Sequence, residues 1–511
     1  MQSGMNAAAA LFERGDAQRI AIVCGERQIT YGELADRVAR AAQAWQAAGL
    51  APDDRAMVLA PDGIEWTEAY LGAIWAGGVP IGANPRVPLP ELAPILAESQ
   101  ARYAWVAPAL ASGVQAMAGA MQGGPAVVTP ASVPGTIDWN ALLAAARAIA
   151  PVPRRPHDAA LWISTSGTTG RPKAVIHMQT VTAPCDAFAR ELLGASADDR
   201  LYATSKLTFA YALANSFFAG LRLGATVILD EEWPNAERVA AMAERHRPTL
   251  LFSVPTLYRG MLQAGVAERL ARCGVRHYVS AGEALPPVLC DGWRERTGRA
   301  PWSGYGTSET LCLMLYSEDG RRLRPTPLTQ MRFPDASTGL PQRILVEHPA
   351  VAAGYWQRPD DQRDAFHDGA FRPGDLFLRH DDGLEFVGRN DDLLKVAGQW
   401  VSTQWVEQHL QGACGDALQT LAAVGVTTAE GLGGIAAFVI AVPGLEAQAH
   451  QRLQAAIADL PGHKRPRWVH WVESLPQTAT GKLQRSRLVE LHRRAVEDGN
   501  SPRRAHAGAP G

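Results

Sequence analysis

The stretch Ser164-Thr165-Ser166-Gly167-Thr168-Thr169-Gly170-Arg171-Pro172-Lys173 decides how the rest of the chain is interpreted. An apolar run before it, Ala159 to Ile163, predicts a strand, and a second apolar run, Ala174 to Met178, follows. Hydroxyls, glycines and one lysine therefore occupy a loop between buried segments. Glycines let backbone N–H groups approach a ligand, Ser and Thr add short donors, and Lys173 adds charge: the ingredients of a polyphosphate cradle. The spacing is not that of a Walker A loop, because Pro172 precedes the lysine and Ala174 follows it. Taken by composition alone, the stretch could equally be a Ser/Thr/Gly surface loop.

The surrounding chain narrows the choice. At 511 residues it is too long for one core and predicts two or more domains. With 47% hydrophobic and 20% charged residues and a net charge of −2, it has an ordinary globular composition and no basic footprint for nucleic acid. Six cysteines, Cys24, Cys185, Cys273, Cys290, Cys312 and Cys414, are scattered without a Cys-x-x-Cys pair. That argues against zinc and disulfides and fits a cytoplasmic location. Neither a secretory leader nor a run long enough to span a membrane is evident, so a soluble monomer or homodimer without membrane partners is expected.

Residues 18 to 31 alternate around Gly25, predicting a strand, a tight turn and a strand. Leu34, Val38, Ala41, Ala42 and Trp45 share one helical face in the segment Glu33 to Leu50. Strand and helix signals keep alternating (Arg55 to Ala60 strand, Ile64 to Ala76 helix), as in parallel α/β units. The Ala/Gly/Pro-rich part from Pro108 to Pro156 is poorly patterned. Further strands are predicted at Thr249 to Val254 and Val275 to Val279. The latter leads into Ser280-Ala281-Gly282-Glu283-Ala284, a turn at the carboxyl edge of a parallel sheet, where open α/β folds bind ligands. Residues 403 to 495 predict a small α+β domain.

The ordered pattern from Ser164 to Lys173 resembles the phosphate loop of the adenylate-forming superfamily of acyl-CoA synthetases, luciferases and adenylation domains. Trp302-Ser303-Gly304-Tyr305-Gly306-Thr307-Ser308-Glu309 resembles the Tyr-Gly-x-Thr/Ser-Glu block of that family. Phe386 to Ser402 resembles its hinge block, and Pro476-Gln477-Thr478-Ala479-Thr480-Gly481-Lys482 its lysine loop. The wording Lys206-Leu207-Thr208-Phe209-Ala210-Tyr211 is most similar to benzoate- and anthranilate-CoA ligases. The resemblance spans roughly residues 15 to 490.

The resemblance implies a large N-terminal domain of α/β layered subdomains at 1–390. A smaller, mobile α+β lid would follow at 391–495, with a disordered tail at 496–511. It implies that Thr165, Ser166, Gly167, Thr168, Thr169, Gly170 and Lys173 grip the phosphates of ATP. Gly282, Glu283, Ala284, Tyr305, Gly306 and Thr307 would contact the nucleotide, Asp375 and Arg389 the ribose, and Glu309 would bind Mg²⁺. Phe209, Ala210, Tyr211, Ser280, Ala281, Gly304 and Cys312 would line the acyl pocket, and flat aromatic walls suit an aryl acid. Asp391 would be the hinge pivot, Gly398 and Trp400 would border the CoA channel, and Trp400 favours the benzoate-type branch. Lys482, Glu309 and Thr165 would be the catalytic set.

Two departures stand out. Benzoate-type ligases often carry histidine where this chain has Cys312, which points to an altered substituent preference. Residues 318 to 345 look shortened against the family pattern. The implied activity is ATP-dependent activation of a carboxylic acid to an acyl-adenylate, followed by transfer to coenzyme A. Two alternatives share the motifs: an adenylating enzyme that loads a carrier-protein phosphopantetheine, and a non-catalytic nucleotide-binding scaffold.

Overall fold

Thr30 starts the first long helix. Its side chain accepts from the Glu33 N–H while the Glu33 carboxylate accepts from the Thr30 N–H. This reciprocal cap satisfies two otherwise unpaired donors, so the helix runs Tyr31–Ala47 and begins before Leu34, where its apolar pattern starts. Its buried face carries Leu34, Val38, Ala41, Ala42 and Trp45 as the spacing predicts. The computed structural model describes residues 4–165, 173–334, 339–390, 393–396, 399–427, 433–476 and 483–497.

The chain divides into two units, residues 1–332 with 345–373 and residues 333–344 with 374–511. Two sheets organise the first. Among the described residues, one has nine strands in the order Arg324–Pro325, Leu315–Ser317, Trp302–Tyr305, His277–Ser280, Leu250–Ser253, Arg200–Ala203, Thr226–Leu229, Ile20–Cys24 and Arg27–Thr30. Its six central strands are parallel, from Trp302–Tyr305 to Ile20–Cys24. Their carboxyl ends therefore lie along one edge, which is where Ser205–Tyr211, Ala281–Ala284 and Gly306–Glu309 follow.

Among the described residues, the second sheet has eight strands, in the order Gly354–Tyr355, Lys173–Met178, Ala159–Thr165, Val79–Ala83, Arg55–Leu59, Tyr103–Val106, Ala126–Thr129 and Ile137–Asp138. It is parallel from Ala159–Thr165 onward and antiparallel at its Lys173–Met178 and Gly354–Tyr355 end. The poorly patterned region folds into regular elements: helix Pro108–Ala120, the last two strands of this sheet, and helix Trp139–Ala145 capped by Asp138. Alanine and glycine are spread around Pro108–Ala120, so the buried side, Ala111, Val114 and Ala118, barely differs in polarity from the exposed one.

In the second unit, Asp375–His380 and Gly383–Arg389 form an antiparallel hairpin. Among the described residues, Leu418–Thr427, Gly433–Ala441 and Trp468–Trp471 form a three-stranded sheet. Helices Thr403–Cys414 and Glu446–Asp459 pack with it around Val406, Leu410, Leu418, Val439, Leu453 and Ile457. Helix Arg485–Glu497 contributes Leu488 to a second cluster with Val424 and Phe438. This is the α+β composition expected of residues 403 to 495. Among the described residues, no helix is long and apolar enough to cross a membrane.

Candidate active site

Thr165 and Lys173 end and begin the two strands that flank the phosphate-loop motif, and they are paired directly across the ladder. Ser166, Gly167, Thr168, Thr169 and Gly170 lie outside the described residues. Lys173 is nearly buried. Its ammonium meets the Asp361 carboxylate at 2.5 Å and lies 5.4 Å from the centroid of the Tyr355 ring.

Tyr355 is held by the next strand, paired with Val175. Its N–H donates to Gln362 Oε1 at 2.8 Å. Gly354 beside it has φ +144°, a backbone conformation that favours glycine, and a Cβ there would lie 2.0 Å from that same Gln362 oxygen and displace it. The Tyr355 phenol donates to Glu309 Oε1 at 2.7 Å. Burial and the adjacent Glu309 carboxylate push the phenol's pKa up and keep it a donor.

The Glu309 segment is fixed from the same sheet. The Ala352 N–H donates to the Glu309 carbonyl at 2.8 Å. His177, fully buried on strand Lys173–Met178, places Nε2 2.8 Å from the Ser308 carbonyl. A carbonyl only accepts, so Nε2 carries the proton. Burial pushes the imidazole down to about 4, which keeps it neutral. Strand Lys173–Met178 thus carries Lys173 at one end and steers the Glu309 turn with His177.

Tyr305 ends its strand, and a turn follows at Ser308 to Thr310. The Thr307 hydroxyl oxygen is buried without a hydrogen-bond partner among the described residues, so it has capacity for a ligand. Beyond Glu309, Leu311 is buried with φ +57°, a strained conformation for a leucine. Thr310 braces it by donating to the carbonyls of Thr307 (3.2 Å) and Cys312 (3.1 Å).

On the apolar side, Tyr211 packs with Ala281 and Leu313, while Ala210 and Cys312 belong to the neighbouring cluster. The Tyr211 hydroxyl donates to the Val279 carbonyl at 2.9 Å. Phe209 is half-buried and Ser280 fully buried, its hydroxyl without a partner among the described residues. Gly304 lies against Leu313, whose Cδ1 would be 2.6 Å from an added Cβ. Gly282 takes φ +88°, and the exposed Glu283 accepts from the Thr256 hydroxyl at 2.8 Å. Cys312 Sγ sits 3.7 Å from Cys185 Sγ, both buried thiols.

The segment before Tyr211 has its own anchor. Buried Asp62 accepts from the Leu207 N–H at 2.9 Å, and the Lys206 ammonium donates to the carbonyls of Asp230 and Glu232, each at 2.5 Å. Burial pushes Asp62 up to about 7, against the pull of Lys206 and the Leu207 N–H.

In the second unit, Asp375 and Arg389 are direct partners across the hairpin, with Arg389 Nε 3.9 Å from the Asp375 carboxylate. Asp391, Gly398 and Lys482 lie outside the described residues, as does the Trp400 side chain. Three residues after Lys482, Arg485 makes two bonds to the Glu407 carboxylate, 2.6 and 3.0 Å, and a third to the Ala423 carbonyl at 2.6 Å.

The model of the AMP-binding enzyme family matches residues 10–356. The chain belongs to the AMP-binding enzyme family. It is an AMP-forming acid–thiol ligase, and its co-substrates are ATP and coenzyme A. The ligase is 36% identical over 498 residues to a 3-hydroxybenzoate–CoA ligase of Aromatoleum sp. strain CIB, covering 94% of each chain. Its fold matches an anthranilate CoA ligase, AuaEII, in complex with anthranoyl-AMP, at TM-score 0.88 and 25% identity over 97% of this chain and 99% of the other. It also matches a benzoate CoA ligase from Burkholderia xenovorans LB400, at TM-score 0.84 and 31% identity over 95% and 99%.

Mg²⁺ fits the residues present. It commonly takes one or two carboxylates and completes its shell with phosphate oxygens and water. Glu309 offers one carboxylate steered by Tyr355, and among the described residues no cluster of three or more His, Cys, Asp or Glu forms an all-protein cage.

Four residues of this site carry no motif: His177, Tyr355, Asp361 and Asp62. His177 and Tyr355 sit inside apolar strands, where a buried polar side chain is the signal that could have singled them out.

Proposed function

We propose that the ligase activates a benzoate-class aryl acid, with hydroxy- and aminobenzoates as its substrate range, and transfers the aryl group to coenzyme A. The observation that carries this is the single segment Gly304 to Leu313. Its polar half presents Thr307 and Glu309 beside Lys173 and Tyr355, and its apolar half packs Cys312 and Leu313 near Ala210 and Tyr211. An anionic nucleotide and an aromatic ring would thus meet along one turn. The names of the relatives, 3-hydroxybenzoate–, benzoate– and anthranilate–CoA ligases, support the same range.

In the first half-reaction, an oxygen of the aryl carboxylate attacks the α-phosphorus of ATP. The bond to the bridging oxygen breaks and pyrophosphate leaves. Both reactants are anions, so the site must offset charge on the phosphates. Thr165, Ser166, Gly167, Thr168, Thr169, Gly170 and Lys173 hold the β- and γ-phosphates. Tyr305 and the turn Gly282-Glu283-Ala284 flank the adenine, Gly306 and Thr307 meet the α-phosphate, and Asp375 and Arg389 hold the ribose. Glu309 would hold Mg²⁺, which would supply positive charge to the phosphate oxygens. Lys482 donates to the oxygen that develops charge as the adenylate forms.

In the second half-reaction, the thiol sulfur of coenzyme A attacks the acyl carbon, the C–O bond to AMP breaks, and AMP departs. The lid, residues 391–495, rotates about Asp391 between the steps. Gly398 and Trp400 then border the pantetheine channel, and Lys482 is withdrawn. The test is acid-dependent ATP–pyrophosphate exchange over benzoate, hydroxybenzoates, anthranilate and short aliphatic acids. Exchange confined to aryl acids supports the reading, and exchange driven only by aliphatic acids overturns it.

A further inference from the structure

The helix after Tyr211 is not regular. Leu213–Phe218 adopts a π-helical turn, a form that is rare and concentrated at functional sites. Asn215 sits within it, fully buried. Its Nδ2 donates to the Tyr211 carbonyl four residues back, at 3.0 Å. Its Oδ1 accepts from the Leu313 N–H at 3.3 Å. The partners fix the amide's orientation, since a carbonyl requires the NH₂ group and an N–H requires the oxygen.

One side-chain amide therefore joins the segment bearing Tyr211 to the segment bearing Cys312 and Leu313. The second segment is the strained one, with Leu311 at φ +57°. Strained turns persist only where their surroundings over-determine them. Bonds besides the one to Asn215 help do that: Thr310 Oγ1 to the carbonyls of Thr307 and Cys312, the Leu311 N–H to the Thr307 carbonyl at 3.1 Å, the Met314 N–H to the Tyr305 carbonyl at 2.8 Å, and the Thr326 hydroxyl to the Leu313 carbonyl at 2.8 Å. The Asn215 bond comes from the Tyr211 side.

We propose that Asn215 is a positioning residue for aryl-acid specificity, because its amide sets the separation between Tyr211 and the Cys312–Leu313 turn. This rests on the assignment of Tyr211 and Cys312 to the acyl pocket. Asn215 touches neither reacting atom. Its effect should fall on the acid and not on ATP.

The test compares the wild type with Asn215→Asp and Asn215→Ser in AMP release with coenzyme A. Aspartate keeps an acceptor for Leu313 but sets an acceptor against the Tyr211 carbonyl. Serine retains a donor that bonds four residues back and loses the reach to Leu313. Both should raise KM for the preferred acid by about tenfold, the ratio expected for one buried hydrogen bond. Both should also flatten the kcat/KM ranking among benzoate, 3-hydroxybenzoate, 4-hydroxybenzoate and anthranilate, with KM for ATP unchanged. If Asn215→Asp melts below assay temperature, Asn215→Ser alone decides. A folded Asn215→Ser with wild-type acid KM and ranking overturns the inference, as does a parallel rise in acid and ATP KM. A wild type that activates no benzoate on the panel would instead overturn the function on which it rests.

Discussion

The phenol of Tyr355 donates to the carboxylate of Glu309 at 2.7 Å, and the same ring lies 5.4 Å from the ammonium of Lys173. The residue from the phosphate-loop motif and the residue from the Tyr-Gly-x-Thr/Ser-Glu motif are thus joined through a third side chain. Tyr355→Phe keeps the ring and removes the donor. A hydrogen bond to a charged group is worth about 1.5–3 kcal/mol, so pyrophosphate exchange should fall by about tenfold or more. Thioester formation from supplied aryl-AMP should hold near wild type. Equal losses in both half-reactions would mean that Tyr355 supports the fold and not Glu309.

Lys482 is assigned to adenylation alone. Lys482→Ala should abolish pyrophosphate exchange while leaving conversion of supplied aryl-AMP and coenzyme A to thioester intact. Single-turnover assays of the two steps separate them, and a variant that loses both equally contradicts the assignment.

Asp62 gives a pH signature. Its folded pKa, about 7, lies above the ordinary 3.8, so the folded state binds the extra proton between those values. The stabilisation is complete below the lower value and is lost as pH rises through the upper one. Asp62→Asn removes this titration while keeping an acceptor for the Leu207 N–H. The melting temperature of the variant minus that of the wild type should be more positive at pH 8 than at pH 5. The opposite slope would show that the neighbouring Lys206 charge, not burial, governs Asp62.

Glu407 tests the anchor of the lysine loop. Its carboxylate takes two bonds from Arg485 and one from the Ala423 N–H at 2.6 Å. Glu407→Ala leaves the guanidinium and the N–H without that acceptor and should cost about 2 kcal/mol in urea unfolding. It should also slow pyrophosphate exchange, because Lys482 lies three residues before Arg485. Unchanged unfolding and exchange together would remove Glu407 from the account.

What could be read from the chain follows from how local each feature is. The strand, turn and strand from residue 18 to 31 and the helix bearing Leu34, Val38 and Trp45 announce themselves by period, because one face is buried and the other is not. Pro108–Ala120 does not, since its residues are small and nearly uniform in polarity. The site shows the same split. Lys173, Tyr305 and Glu309 stand in contiguous motifs. Tyr355 lies 46 residues from its partner Glu309, and His177 lies 131 from Ser308. Asn215 and Leu313 are 98 apart, and Cys185 and Cys312 are 127 apart. Only the folded sheets bring such residues together, and no period or spacing marks them in advance.

The central claim is that an aryl acid is joined to coenzyme A at the expense of ATP cleaved to AMP. Its most direct test is product analysis by mass spectrometry with 3-hydroxybenzoate, benzoate or anthranilate as the acid. The account predicts an aryl-CoA thioester and AMP in equal amounts, both dependent on acid and coenzyme A. Formation of ADP in place of AMP, or adenylate that passes to no thiol when coenzyme A is present, would contradict it.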